Sequence, residues 1–141
     1  YSAIMLKIIA DRLAEAFAEL LHFRVRSEFW GYSKNELLDA ERITKGDYIG
    51  IRPAPGYPSC PEHSEKLKIF KILDAECNTG ITLTENFAMY PPASVCGYYF
   101  ANNRSKNFNV GKVLRDQVED YAVRKGITIE VVEKWVNAND I

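Results

Sequence analysis

The chain has 141 residues, with 18 Lys+Arg against 19 Asp+Glu and a formal net charge of -1. That length suits one ordinary core, so a single domain is expected over residues 1–141, and the balanced charge removes the electrostatic case for nucleic acid or an anionic membrane as partner. Cys60, Cys77 and Cys96 are an odd count at wide spacing, which fits a reducing, cytoplasmic setting better than a disulfide framework, and no run reaches the apolar length of a spanning helix.

From Ile4 to about Trp30, apolar residues recur at helical spacing: Leu6, Ile9, Leu13, Phe17 and Leu20, with Ile8 and Leu21 widening the stripe. This predicts one long amphipathic helix. The chain enters that pattern directly at Tyr1, so a piece of a longer protein is expected. "GYSKNELLDAERITKGDY" then reads as a polar connector with a short helix around Glu36 to Ile43. After an irregular stretch, helical pattern resumes at Pro61, suited to a first turn, with Glu62 and Glu65 near the positive end of the dipole. It continues through Leu67, Phe70, Ile72 and Leu73 and ends at Asn78 to Gly80. Three β-rich segments follow, "ITLTENFAMY", "ASVCGYYFA" and "KNFNVGKV", parted by Pro91-Pro92 and by "NNRS"; the last two are expected to form a hairpin. The tail predicts two helices, "LRDQVEDYAVRKG" stopped by Gly126 and "TIEVVEKWVN" capped by Thr128. The fold class is therefore α+β, an antiparallel sheet packed on a long helix. No G-x-G-x-x-G follows a strand, so an ordinary Rossmann route to a nucleotide is excluded.

The irregular stretch is "YIGIRPAPGYPSCPEHSEK", Tyr48 to Lys66, with four prolines and two glycines. Such backbone is stiff without being regular. Arg52 leaves a short strand into a Pro-Ala-Pro-Gly turn, a setting that suits bidentate recognition of a carboxylate or phosphate. Gly56 permits close approach of a ligand to the backbone, and Tyr57 offers a flat face. The residues alone leave open both a pocket for a zwitterionic or nucleotide-like molecule and a purely structural loop. Cys60 and His63 have C-x-x-H spacing, but too few partners exist for a zinc site and no third group completes a nucleophile; packing is the better reading. Asp11 and Glu15 interrupt an otherwise apolar helix, which opens a buried or ligand-facing role.

The run "GIRPAPGYPSCPEHSEK", with R-x-x-x-G-Y as Arg52, Gly56 and Tyr57, resembles the S-adenosylmethionine-binding signature of the activation domain of cobalamin-dependent methionine synthase. "ADRLAEAFAE", "FWGY", "LTENFAMYP" and "RDQVEDYAVRKG" resemble the same domain in the same order, so the likeness covers the whole chain. It implies a C-shaped, non-Rossmann α+β fold, with a long helix and smaller helices around a twisted antiparallel sheet. It also implies that residues 1–141 are the carboxy-terminal part of the domain, the rest lying upstream. The implied activity is supply of S-adenosylmethionine for reductive remethylation of cob(II)alamin. The cobalamin would be bound by another domain of the same enzyme, and a flavodoxin-type reductase would be the partner.

By position, the resemblance implies that Arg52 pairs with the donor's methionine carboxylate while backbone from Pro53 through Ala54 and Gly56 to Tyr57 holds the adenosine. Glu15 would face the ribose hydroxyls or the ammonium group, and Asp11 the edge that meets the cobalamin-binding domain. Asn107 and Phe108 stand where the family has paired tyrosines, and Gly46 stands where it has a second acid, so that contact is either lost or supplied by Asp47. No catalytic residue and no metal ligand is implied, since a cobalt nucleophile and a sulfonium methyl need positioning rather than a general base. The alternative reading is an interaction module that docks on a cobalamin-binding domain or flavodoxin without holding the donor; a Cys60–His63 enzyme ranks last.

Overall fold

In the computed structural model of the chain, which describes residues 1–36 and 39–136, the apolar periodicity of the amino-terminal region becomes α1, Ser2–Arg24. At 1.5 Å per residue it is about 35 Å long. The expected continuation to Trp30 is helical but not α: Val25–Phe29 form a π-helix, with Trp30 N–H donating to the Val25 carbonyl at 3.0 Å. Gly31, at φ 70°, ends it in the left-handed region.

The chain divides into two compact units, Tyr1–Pro53 with Met89–Asn107, and Ala54–Ala88 with Phe108–Ile141. In the first, α1 buries only Ala18 and His22, leaving Leu6, Leu13, Phe17 and Leu20 exposed. The short helix expected around Glu36 to Ile43 is α2, Ala40–Lys45; positions 37 and 38 lie outside the described residues. Asp39 caps α2, its Oδ1 accepting from Arg42 N–H at 2.9 Å, and Gly46 stops it at φ 67°.

The β-rich segment "ASVCGYYFA" does not make the expected hairpin with "KNFNVGKV", which forms no strand. It runs beside the signature instead: Ile51 and Phe100 exchange N–H···O bonds of 3.1 and 3.0 Å, and Tyr98 N–H donates to the Pro53 carbonyl at 2.9 Å. Gly50 makes this approach possible, because a Cβ there would lie 2.3 Å from the Phe100 carbonyl oxygen.

In the second unit, the helix expected from Pro61 begins later. A 3-10 turn, His63–Glu65, leads into α3, Lys66–Leu73. Asp74, at φ 45°, breaks the path before α4, Ala75–Thr79, which Gly80 ends as expected. "ITLTENFAMY" supplies β1, Thr82–Leu83, in this unit, and β2, Met89–Tyr90, which falls in the first. Both tail helices form: α5, Arg115–Lys125, ended by Gly126 at φ 69°, and α6, Ile129–Val136. Asn137, in the predicted second helix, lies outside the described residues. Val118 and Ala122 of α5 meet Val132 of α6 in the unit's core, with Val113, Ile127 and Ile129 packed around them. Helices with limited antiparallel pairing and no Rossmann core make the fold α+β, with far less sheet than the β-rich segments suggest.

Candidate functional site

In the first unit, the antiparallel pairing of Ile51 with Phe100 fixes the backbone from which Arg52 projects. The side chain is half-buried against α1, where Nη1 donates to the Ala18 carbonyl at 3.1 Å and Nη2 to Glu19 Oε2 at 3.1 Å. A guanidinium has five N–H donors, so the remaining three carry no hydrogen bond among the described residues.

Glu19 belongs to a polar group that α1 and the π-helix assemble at i, i+3 and i+7: Glu19, His22 and Arg26. Arg26 is fully buried, donates from Nε to Glu36 Oε2 at 2.7 Å, and lays its guanidinium 3.9 Å over the Tyr48 ring. His22 is equally buried, stacked on Tyr99 at 4.9 Å, with Nε2 3.3 Å from the Tyr32 hydroxyl. Burial, and then the cations Arg26 and Arg52, hold the imidazole neutral with its pKa lowered to about 3. Burial and the Glu19 carboxylate push the Tyr48 hydroxyl up, keeping it protonated. The sequence reading missed this group; its signal was polar residues on one face of an otherwise apolar helix.

Other expected positions of this unit are less engaged. Pro53 is half-buried, while Asp11, Glu15 and Asn107 are exposed. Gly46, at the family's second acidic position, is the left-handed stop of α2, and Asp47 pairs with Arg42 at 2.9 Å. Asp47 is thus already committed to a neighbouring helix.

In the second unit, the rest of the signature folds into a tight double turn. Tyr57 N–H donates to Ala54 O at 3.2 Å, Gly56 N–H to Cys60 O at 2.7 Å, and Cys60 N–H to Tyr57 O at 2.8 Å. Gly56 is required twice over, by its φ of 98° and because a Cβ would lie 2.3 Å from His63 Cε1. Lys66 holds that imidazole, its Nζ lying 2.9 Å from His63 Nδ1 and also donating to the Phe87 carbonyl at 3.0 Å. Burial, and then Lys66, lower the His63 pKa, so Nδ1 accepts. Tyr57 and Phe108 stand exposed.

Glu62, expected to serve the helix dipole, is instead a buried acceptor for Ser64, Tyr121 and Lys125. Burial opposes its ionisation, but those hydrogen bonds and the Lys125 charge outweigh it and hold the carboxyl below its usual range. Burial and Glu62 together raise Tyr121 to about 12. A cavity of about 340 Å³ opens beside this group, lined by Cys60, Val110, Val118 and Val132. Burial, then Glu65 and Glu62, push the Cys60 thiol up, opposite to what a nucleophile requires. Among the described residues no group of three or more His, Cys, Asp or Glu is placed to hold a metal, and no helix is long and apolar enough to cross a membrane.

The chain matches the family described as vitamin B12 dependent methionine synthase, activation domain, over residues 1–126. It belongs to that family. Among solved structures it is similar to one described as the MetH reactivation domain bound to AdoHcy, at 56% identity and a TM-score of 0.93 over 97% of this chain. The chain spans 42% of the length of that structure's chain.

Proposed function

We infer that the chain binds S-adenosylmethionine and presents its methyl group for reactivation of the cobalamin of a methionine synthase. The observation that carries this is Arg52: fixed at two donors by Ala18 and Glu19, it keeps three donors for a ligand carboxylate. The likeness to a domain solved with AdoHcy, the demethylated form of the donor, supports the same ligand class. In this reading Arg52 takes the methionine carboxylate, and the backbone of Pro53, Ala54, Gly56 and Tyr57 takes the adenosine. Glu15, exposed one turn before Glu19, takes the ribose hydroxyls or ammonium, and Asn107 with Phe108 borders the donor by an aromatic face.

Cobalamin, held by another domain of the same enzyme, supplies the cobalt nucleophile. The residues of this chain bind and orient the donor, so the contribution to rate is positional. The whole enzyme would be a cytoplasmic methyltransferase making methionine from homocysteine and methyltetrahydrofolate, reduced for reactivation by a flavodoxin-type partner. The departures at Gly46 and Asn107 favour the second reading, an interaction module that no longer holds the donor.

Calorimetric titration with S-adenosylmethionine decides between them. Saturable binding that Arg52→Ala weakens by tenfold or more is the expected result; no binding, or binding indifferent to Arg52→Ala, would overturn the donor reading.

A further inference from the structure

Arg52 is held by a carboxylate that is itself held. Glu19 Oε2 accepts from Arg52 at 3.1 Å, while Glu19 Oε1 lies 3.9 Å from Nη1 of the fully buried Arg26. Arg26 cannot follow a moving partner, because Glu36 at 2.7 Å and the Tyr48 ring at 3.9 Å fix its own guanidinium. Neither Glu19 Oε1 nor the two Nη atoms of Arg26 meet hydrogen-bond geometry among the described residues, so Arg26 holds Glu19 by charge, beside the Tyr48 hydroxyl that also leans on the Glu19 carboxylate. In so dry a setting that attraction is weakly screened. His22, packed among the same groups and neutral, adds no competing charge.

We propose that Glu19, clamped by Arg26, is the positioning residue that aims the free edge of Arg52 at the carboxylate of the bound donor. The proposal rests on the reading of Arg52 as carboxylate anchor. Glu19 touches neither donor nor reacting atoms in this scheme. It removes rotameric freedom from Arg52 before the ligand arrives, so less ordering remains at binding.

A ligand pair separates aiming from general integrity: S-adenosylmethionine and its decarboxylated analogue, which lacks the carboxylate and keeps the rest. Calorimetry gives the affinity ratio of the two for the wild type, Arg52→Ala, Glu19→Ala and Glu19→Gln, each checked for folding by circular dichroism. The expected result is a ratio well above one in the wild type, collapsed toward one by Arg52→Ala. Glu19→Ala should reduce it about tenfold, and Glu19→Gln, which keeps an acceptor oxygen, less. Lost negative charge alone cannot mimic this, since it would disfavour the more cationic decarboxylated ligand and raise the ratio.

A ratio unchanged or raised by both Glu19 variants, with Arg52→Ala still collapsing it, would overturn the positioning role and leave the anchor standing. A ratio indifferent to Arg52→Ala would remove the anchor and the proposal together. If Glu19→Ala does not fold, Glu19→Gln alone decides: a ratio equal to wild type counts against the proposal.

Discussion

At the residue scale, two glycines of positive φ make different demands. Gly46 faces open space at φ 67°, whereas Gly56 at φ 98° has His63 against the place a Cβ would occupy. Gly46→Ala should therefore cost only about 1 kcal/mol of backbone strain, and Gly56→Ala about 2–4 kcal/mol once the displaced imidazole is added. Urea unfolding of the two variants side by side measures the difference; equal losses would mean that His63 gives way freely. His22 carries a pH prediction. Its folded pKa, about 3, lies below the unfolded value of 6.5, so between those limits the unfolded chain binds the extra proton. Stability from this group is complete above pH 6.5 and is lost as pH falls toward 3, at up to about 1.4 kcal/mol per pH unit. Replacing the ring by His22→Phe should flatten the urea midpoint against pH between 6.5 and 4, and an unchanged slope would assign the loss to other groups.

At the scale of elements, the legible parts were those with local causes. α1 followed from apolar spacing, and the stops at Gly80 and Gly126 from left-handed glycines. What escaped was pairing at long range: nothing near Tyr98 or Phe100 indicates that their partners are Pro53 and Ile51. The Pro61 helix start was misplaced for a similar reason, since Glu62 turns toward Tyr121 and Lys125 on α5 and leaves its own helix end. This cross-link makes α5 answerable to a charge. Lys125→Met should destabilise the protein by about 3 kcal/mol, because Glu62 would be left buried without its cation. Val132→Ala, which hollows the α5–α6 core, should cost about 2 kcal/mol. Thermal unfolding of both, repeated at pH 4, distinguishes them: only the Lys125→Met loss should shrink on acidification, as Glu62 becomes neutral.

At the scale of the whole molecule, the signature was recognisable from Arg52, Gly56 and Tyr57, but its supports were not. The hold on Arg52 comes from α1 some thirty positions earlier, and the hold on Gly56 comes from His63 and Lys66. Neither follows from composition, because each depends on which helix face meets which turn. The exposed side of α1 has a consequence of another kind. Leu6, Leu13, Phe17 and Leu20 are all more than half exposed on one face of the helix, on a chain whose isoelectric point is about 6.2. Near that pH the chain's own repulsion vanishes while its oily flank remains, so its colloidal behaviour should turn from repulsive to attractive. Light scattering would show a second virial coefficient that is negative at pH 6.2 and rises by pH 8.5. The double variant Leu6→Glu, Leu13→Glu should abolish the attraction.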